Sequence, residues 1–548
     1  MLKLTSLRAG VLLLGILPAV SRVLAGQVPV YNGVVGGIPD SITRAQLKSS
    51  VFAATNGGAT IQTRPGKLRV VENSGVCEST PGVYQASGYG DLTDNESLWF
   101  WFFAARNNSE SAPLTLWLNG GPGSSSMIGL FQENGPCRIT NDSSSVTLNP
   151  YSWNNVSNML YLDQPVGVGF SHGETKVGTS QEAAEDVWKF LQMFLADSKF
   201  AKYSKADFAL WTESYVTMVL QSLRCQSYIL DQNAGIANGT VNGTTINLKF
   251  LGIGDGLTDP LAQYPGYLSY AASNPYHPLV SQTVIESVTH DWERSGGCKD
   301  LITQCYNGGT DDVCSNAQDF CNGVVLNTLL GPYDPYYILS QTPDPYPPDL
   351  TPYLNSTSLM KKIGAESAWQ MTNDDVYFNF AGTGDWMRNS RPLLEKVINA
   401  SVRTIIYDGD ADYILNFNGV EAMVAALQTK ISDDFAKQQF ANFSVQGQSA
   451  GLYKNAGAFS YVRFFGAGHE VPAYTHGTLA VGQAAFQMFS QIMSNASLSP
   501  TTLQTGVTTG TSTGAAVAGP ISTNSSVLAT TSFWALLLCI VLISIVPH

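Results

Sequence analysis

The sequence predicts an α/β fold with a mostly parallel central sheet that is covered by helices on both faces. Short apolar segments, typical of buried strands, alternate with segments of helical periodicity, and this alternation favours parallel strands. Polar motifs follow directly after several of the predicted strands. The chain has 548 residues, of which 44% are hydrophobic, and this is enough for one large core or two domains.

Six segments are predicted to be short buried strands. They are residues 114–118, 159–162, 208–211, 250–253, 404–407 and 461–465. The clearest helix is predicted over residues 181–197, where apolar side chains recur at helical spacing. Thr179 and Glu182 form a capping box at its start. Residues 264–382 are rich in Pro, Tyr, Asp and Cys and contain few clean strands, so we expect an insertion that caps the cleft.

The most informative motif is Asn-Gly-Gly-Pro-Gly at residues 119–123, directly after the predicted strand 114–118. A strand that ends in such a turn aims backbone N–H groups into a cleft. Those groups can stabilise the negative charge that develops on an oxygen atom during acyl transfer.

Three further motifs carry candidate catalytic residues. They are Glu-Ser-Tyr at 213–215, Asp-Ala-Asp-Tyr at 410–413 and Gly-Ala-Gly-His at 466–469, and each follows a predicted strand. The chain order Ser, Asp, His is that of the α/β-hydrolase triad. Ser214 is the predicted nucleophile, His469 is the base that removes its proton, and Asp412 fixes the tautomer of the imidazole.

Each candidate also has a simpler interpretation. A serine after a strand is often only the N-cap of a helix. The aspartate-rich run 408–412 resembles part of a calcium loop, although Glu421 does not stand where an EF-hand needs its glutamate. Of the six histidines, only His469 follows a predicted strand through a Gly-Ala-Gly turn.

With these four motifs in this order, the sequence resembles the serine carboxypeptidases, in particular the secreted fungal ones related to carboxypeptidase Y. The resemblance extends over residues 66–498. It implies an α/β-hydrolase fold with a disulfide-stapled cap insertion. It also implies an enzyme that releases C-terminal amino acids from peptides and proteins through an acyl-enzyme, without a metal or cofactor. Within the aspartate-rich run, the resemblance selects Asp412.

The resemblance further implies a site for the free carboxylate of the substrate. In the family, the Asn of the Asn-Gly-Gly motif and the Glu before the serine hydrogen-bond this carboxylate, and these residues are Asn119 and Glu213 here. Glu133 matches the family acid that extends the network. A carboxyl group donates to a carboxylate only when it is protonated, so we expect a raised pKa for Glu213 and the best activity at acidic pH. The N–H groups of Gly121 and Tyr215 are the expected oxyanion hole.

The turn after Ser214 departs from the family pattern. Relatives have Gly-Glu-Ser-Tyr-Gly-Gly-His-Tyr-Gly-Pro or a close variant, whereas this chain has Val-Thr-Met-Val at 216–219. Val216 introduces a branched side chain where the tight turn needs a small residue. Codons for Val-Thr-Met-Val can be read in a shifted frame as Gly-His-Tyr-Gly-Pro, so we hypothesise a frameshift or splice error over about 216–227. Ser124 and Asp255 are lesser departures.

These departures keep two other functions open. One is a catalytically impaired surface glycoprotein of the same fold. The other is an esterase or acyltransferase that uses the same triad. Asn119 and Glu213 favour the peptidase, because an ester substrate lacks the carboxylate that they would bind.

Six cysteines are expected to form disulfides, because the predicted secretory route favours them over metal ligation. Four of them have palindromic spacing, which suits nested bridges, and the carboxypeptidase family uses this nesting in its insertion. A zinc site is the alternative, but CxxC spacing is absent. Cys225 is left over, and Cys539 lies in the tail. The expected pairs are Cys298 with Cys321, Cys305 with Cys314 and Cys77 with Cys137.

Both ends resemble processing signals. In residues 1–25, Lys3 and Arg8 precede a short apolar run, which predicts a secretory signal peptide, with a signal anchor as the alternative. An apolar tail at 533–546 follows small residues at 524–526, which is the layout of a GPI-attachment signal. A tail-anchored helix is the alternative. The predicted segments in between are a first core part (26–263), the cap (264–382), a second core part (383–498), a Ser/Thr-rich stalk (499–524) and a removed propeptide (525–548).

We therefore expect a secreted glycoprotein on the cell surface, anchored by a GPI lipid attached at Asn524 to the plasma membrane or passed on to the cell wall. Its expected partners are peptide and protein C-termini. Nucleic-acid binding is not expected, because the net charge is −13 and no basic run is present. The predicted N-glycosylation positions are Asn95, Asn107, Asn141, Asn155, Asn238, Asn242, Asn355, Asn399, Asn442 and Asn495.

Overall fold

A twelve-stranded sheet forms the centre of the fold. The computed structural model describes residues 28–31, 33–38, 65–214, 216–340 and 348–502, without the side chains of residues 216–224. Both predicted processing signals, residues 503–524 of the predicted stalk and Asn524 itself lie outside this part of the chain. The first stalk residues, 499–502, are described, and the Thr501 N–H donates to the Ser444 carbonyl, so the chain is still part of the fold there. The strands are β1 (Val30–Tyr31), β2 (Val34–Val35), β3 (Lys67–Glu72), β4 (Gln85–Thr93), β5 (Glu96–Phe103), β6 (Leu114–Leu118), β7 (Cys137–Ile139), β8 (Val146–Leu148), β9 (Asn158–Leu162), β10 (His172–Gly173), β11 (Phe208–Glu213), β12 (Leu248–Gly254), β13 (Arg403–Gly409), β14 (Ala441–Val445), β15 (Gln448–Ala456) and β16 (Phe459–Phe464).

The sheet is parallel in its middle and antiparallel at both edges. Its order is β14-β15-β16-β13-β12-β11-β6-β9-β5-β4-β3, with β10 beside β5. All pairs from β16 to β9 are parallel, and these six strands are the six that the sequence predicts. The strands toward both edges pair antiparallel, and so do β5 and β9, which join one edge to the parallel part. The α/β-hydrolase class is thus confirmed, with a mixed sheet.

The alternation of side chains along β6 shows why the central strands of the sheet are buried on both sides. Leu114, Leu116 and Leu118 belong to one hydrophobic cluster, whereas Trp117 belongs to the cluster on the opposite face. Successive side chains of a strand point to opposite faces, so both faces of the sheet need a cover. Helices supply that cover, as predicted.

The first helix begins at its predicted cap. The Thr179 side chain accepts a hydrogen bond from the Glu182 N–H, and the Glu182 carboxylate accepts one from the Gly178 N–H. The helices are α1 (Ser180–Ala196), α2 (Val216–Ala237), α3 (Pro260–Gln263), α4 (Pro265–Ala272), α5 (Gln282–Glu293), α6 (Cys298–Tyr306), α7 (Asp311–Cys321), α8 (Thr328–Leu330), α9 (Thr351–Leu354), α10 (Thr357–Ile363), α11 (Asp374–Thr383), α12 (Arg391–Asn399), α13 (Phe417–Ala425), α14 (Ser432–Lys437) and α15 (Gln483–Met493).

Helices α1 and α12 pack on the face that carries Leu116, and α15 packs on the face that carries Trp117. Residues 264–382, the predicted cap, contain helices α4 to α10 and most of α11. Within the described residues, no helix is both long and apolar enough to cross a membrane.

Three disulfides are present, and their pairing is the expected one. Cys298–Cys321 and Cys305–Cys314 are nested, with sequence separations of 23 and 9 residues. Cys77–Cys137 closes a loop that contains β4, β5 and β6. Because the four cap cysteines bond one another, they do not form the alternative zinc site. Cys225 is free and buried.

Candidate active site

Four of the predicted site motifs follow parallel strands that end at the same edge of the sheet. Ser214 directly follows β11, Asp412 lies three residues beyond β13, and His469 lies five residues beyond β16. Asn119 follows β6, which is the other neighbour of β11. Since these strands are adjacent and parallel, their carboxyl ends place the four side chains along the same side of the molecule.

Ser214 lies in a strained turn between β11 and α2. Its φ angle is +78°, a conformation that side-chain-bearing residues rarely adopt. The Ser214 N–H donates to the Gly254 carbonyl at 2.9 Å. Gly120 packs directly against the serine, because a Cβ atom there would lie 2.6 Å from the Ser214 Cβ. Such strand–turn–helix geometry is that of a nucleophile elbow.

His469 and Asp412 form a buried hydrogen-bonded pair. The His469 Nδ1 and the Asp412 Oδ2 are 2.9 Å apart, and both residues are at most 1% exposed. Asp412 also accepts from the backbone N–H groups of Ile414 and Leu415. The His469 Nε2 is buried and has no hydrogen-bond partner among the described residues. The imidazole is therefore oriented through one nitrogen. The other makes no hydrogen bond to the Ser214 hydroxyl in this structure, and is available as a base.

The calcium-loop alternative is not supported by the carboxylates of the aspartate-rich run. Asp410 accepts hydrogen bonds from the Tyr276 hydroxyl at 2.5 Å and from the Gly466 N–H at 2.7 Å. Asp412 instead turns to His469. Asp410 and Asp412 thus have separate protein partners, so their carboxylates do not converge as the ligands of one calcium ion would.

The cap supplies a contact to the base that the sequence analysis missed. The backbone carbonyl of Tyr336 accepts a hydrogen bond from the His469 N–H at 3.0 Å. The Tyr336 ring lies edge-on to the imidazole, with ring centroids 5.2 Å apart. Gly468 permits this approach, since a Cβ atom there would lie 2.4 Å from the Tyr336 carbonyl oxygen. Tyr336 lies in no motif, so only the tertiary structure reveals it.

The Asn119 side chain is fully buried, and four hydrogen bonds fix its orientation. Its Oδ1 accepts from the Trp117 Nε1 at 2.7 Å and from the Gly129 N–H at 2.8 Å. Its Nδ2 donates to Glu133 Oε1 at 3.0 Å and to Glu213 Oε1 at 3.3 Å. The three residues that were predicted to recognise a substrate carboxylate are thus in direct contact.

Glu133 and Glu213 form a pair of fully buried carboxyl groups that hydrogen-bond each other. Burial, followed by the negative charge of Glu133, raises the pKa of Glu213 well above its usual value. Burial also raises the pKa of Glu133, although hydrogen bonds from Glu213 and Asn119 oppose the effect. Two carboxylates in contact cannot both ionise readily, so the pair holds at least one proton in acid.

Of the two predicted oxyanion donors, Gly121 and Tyr215, the structure describes Gly121. Gly121 has a φ angle of +112°, and a Cβ atom there would lie 2.7 Å from the backbone nitrogens of Gly123 and Ser124. Only glycine fits this turn, which lies beside the serine. Tyr215 lies outside the described residues.

A second carboxyl group, that of Asp255, lies beside the His469–Asp412 pair. One carboxylate oxygen each of Asp255 and Asp412 and one ring nitrogen of His469 lie within 4.8 Å of one another, and all three residues are buried. Carboxylates and imidazoles are also metal ligands, but here the Nδ1 and Oδ2 atoms already bond each other. We therefore interpret this cluster as a hydrogen-bond relay that orients the imidazole, and not as a metal site. The sequence analysis noted Asp255 only as a departure from the family.

Comparisons with known proteins agree with this geometry. The sequence model of the family described as "Serine carboxypeptidase" matches residues 76–495. Carboxypeptidase S1 of Penicillium janthinellum is 39% identical over 434 residues, which cover 79% of this chain and 100% of that protein. Carboxypeptidase Y of Schizosaccharomyces pombe is 36% identical over 422 residues, which cover 74% of this chain but only 41% of that protein.

Among solved structures, Kex1(Δ)p of Saccharomyces cerevisiae, described as a prohormone-processing carboxypeptidase, shares the fold. Its TM-score is 0.64 with 21% identity, and the match covers 77% of this chain and 93% of that one.

Proposed function

The chain belongs to the serine carboxypeptidase family, and from that premise we propose that Ser214, His469 and Asp412 are its catalytic triad. The observation that carries the proposal is the buried His469–Asp412 hydrogen bond, with the His469 Nε2 left unpartnered at the sheet edge where β11 presents Ser214. In this arrangement His469 removes the hydroxyl proton as Ser214 attacks the last peptide bond. The same imidazolium then protonates the departing amine.

The acyl-enzyme is next hydrolysed by water, which His469 activates in the same way. The N–H group of Gly121, together with that of Tyr215, stabilises the oxyanion in both steps. Asp412 keeps the imidazole in the required tautomer and balances the charge of the imidazolium.

Asn119, Glu133 and Glu213 recognise the substrate carboxylate in this proposal. Neutral Glu213 donates a hydrogen bond to the carboxylate. Asn119 donates one as well, when one of its two N–H groups leaves a glutamate oxygen for the substrate. As pH rises through the raised pKa of Glu213, the donor becomes an anion that repels the substrate. Peptidase activity is therefore highest in acid and falls toward neutral pH.

The proposed location is the cell surface, with a GPI lipid attached at Asn524. Eight of the ten predicted glycosylation positions before Asn524 have exposed side chains, which supports secretion. Asn155 and Asn355 are half-buried instead. Both amide atoms of Asn355 are bonded to the Trp369 backbone, so we expect no glycan there. Release of the protein from intact cells by a phosphatidylinositol-specific phospholipase tests the anchor.

The proposed activity is tested by release of amino acids from peptides with a free C-terminus, at pH values from about 4 to 6. Ser214→Ala is expected to lower the rate by about a million-fold, as loss of a triad nucleophile does. A fluorophosphonate should label the parent protein and not this variant. A folded parent that neither labels nor releases amino acids would favour the catalytically impaired glycoprotein.

The esterase alternative is distinguished by the substrate. Peptides with a free C-terminus should be cleaved faster than the same peptides with an amidated C-terminus. Equal rates on both would contradict a role for Asn119 and Glu213 in carboxylate recognition.

A further inference from the structure

The neighbour of Asp412 in the relay is itself a fully buried carboxyl group. Asp255 directly follows β12 and has a φ angle of +42°. Its N–H donates to the Tyr407 carbonyl at 2.9 Å, and its Oδ1 accepts from the Gly409 N–H at 3.0 Å. The backbone of β13 therefore holds the side chain of Asp255 in place beside Asp412.

The other carboxyl oxygen of Asp255 lacks a donor. Oδ2 is buried, and no described group donates a hydrogen bond to it. Its neighbour in the cluster is the Asp412 carboxylate, which is an acceptor of hydrogen bonds from His469, Ile414 and Leu415. Two ionised carboxylates would repel each other at this distance in a buried site, whereas a proton on Asp255 converts the contact into a hydrogen bond.

Resting on the proposed triad, we propose that neutral Asp255 is a positioning residue that donates a hydrogen bond to Asp412 and keeps it against His469. Loss of the Asp255 proton then limits activity on the alkaline side. A second negative charge makes the two carboxylates repel each other, so Asp412 moves away from the His469 Nδ1. Protonated Asp255 thus positions His469 through Asp412, without touching the substrate.

The surroundings of Asp255 agree with a neutral form in acid. Burial, followed by the negative charges of Asp412 and Asp408, raises the pKa of Asp255 well above its usual value, and the Gly409 N–H opposes this. His469 is the cationic partner of the cluster when it is protonated. The titratable groups that face Asp255 are Glu213 on β11, Tyr407 and Asp408 on β13, Asp412 and His469 in the loops after β13 and β16, and Tyr270 on α4.

Asp255→Asn removes the ionisable proton of this side chain and keeps its shape. The amide keeps the Oδ1 acceptor and a donor toward Asp412, but it does not ionise. The matched control is Asp410→Asn, because Asp410 bonds Tyr276 and Gly466 instead of the relay. The probe is a fluorophosphonate without a carboxylate, so ionisation of Glu133 and Glu213 does not affect its recognition.

The labelling rate is measured from about pH 5 to 10 for the parent and both variants. The parent and Asp410→Asn should lose reactivity on the alkaline side at the same pH. Asp255→Asn should move this loss upward by about one pH unit or more, since its donor never ionises. Asp255→Ala, which has no donor, should label about 100-fold more slowly at all pH values because Asp412 and the base are misplaced.

An alkaline loss at the parent's pH in Asp255→Asn would overturn the inference, even if that variant were less stable to heat. An equal upward move in Asp410→Asn would also overturn it. A folded parent that does not label at all would instead refute the proposed triad, and the inference with it. If Asp255→Ala does not fold, Asp255→Asn alone decides.

Discussion

Two pairs of buried carboxyl groups belong to the proposed site, and they differ in their third partner. Glu133 and Glu213 share the amide of Asn119, whereas Asp255 and Asp412 adjoin the imidazole of His469. Burial raises the pKa of both Glu213 and Asp255. In the roles proposed above, the same arrangement of two acids would serve substrate recognition where an amide adjoins it, and base catalysis where an imidazole does.

This difference determines how pH acts on each pair. Loss of the proton from the glutamate pair affects only substrates that carry a free carboxylate. Loss of the proton from the aspartate pair affects every acyl transfer, because it acts through the base. Substrates with and without a free C-terminus therefore report on the two pairs separately.

The largest expected effect comes from the aspartate pair. Asp412→Asn should lower kcat/KM by about 10,000-fold, because the amide favours the wrong tautomer of His469. The loss should be the same for peptide and ester substrates. It is measured with one peptide and one blocked ester at the same acidic pH. A loss confined to the peptide would contradict the assignment of Asp412 to the base.

A smaller and more selective effect is expected from the glutamate pair. Glu213→Ala should lower kcat/KM for peptides with a free C-terminus by about 10- to 150-fold, the value of a hydrogen bond to a charged group. A blocked ester should react at nearly the parent rate. Glu213→Gln keeps a donor that does not ionise, so its peptidase activity should fall less between about pH 5 and 8. If both Glu213 variants lost activity on the blocked ester as strongly as on the peptide, the glutamate pair would not differ from the aspartate pair in its role.

The smallest expected effect is on stability. Burial raises the pKa of Asp163 to about 7, although hydrogen bonds from Ser125, Phe170 and Ser126 oppose this shift. A raised pKa in the folded state means that the stabilisation is complete below the usual pKa of aspartate and is lost as pH rises toward 7. The Tm should therefore fall from about pH 4 to 7, by ~1 °C for each kcal/mol lost in a fold of this size.

Asp163→Asn should have a Tm that depends less on pH, measured by calorimetry over the same range. The matched control is Asp433→Asn at an exposed position of α14, which should keep the parent's dependence. An unchanged slope in Asp163→Asn would show that other groups cause the loss.

The sequence predicts the middle of the sheet better than its edges. Strand β6 has the predicted bounds, because a run of apolar residues buried on both faces is a strong local signal. Strand β4 was missed, since Gln85–Thr93 contains polar residues and glycines whose burial depends on β3 and β5. Pairing over such distances leaves little trace in a local pattern.

The candidate site shows the same limit. The order of the motifs was enough to bring Asp412 and His469 together, because strand ends of a parallel sheet share one edge. Tyr336 and the role of Asp255 were not predictable, since both depend on contacts between elements distant in the chain. Glu133 came from a family resemblance and from no physical pattern of its own.

The segment after Ser214 carries an observation that bears on the frameshift hypothesis. Gln226, inside the segment of the frameshift hypothesis, is buried, and neither atom of its amide has a hydrogen-bond partner in the described part of the chain. An unpaired buried amide is costly, so the observation fits a segment whose sequence was misread. Sequencing of the transcript tests this hypothesis, and an unshifted reading of Val-Thr-Met-Val would end it.

The nested bridges of the cap have a consequence for damage by other proteases. A single cut between Cys305 and Cys314 leaves the two fragments joined by two covalent links, and a cut elsewhere between Cys298 and Cys321 leaves them joined by one. A nick in this hairpin therefore severs the chain without releasing any part of it. Residues 298–321 thus stay attached to the protein even after the chain has been clipped within them.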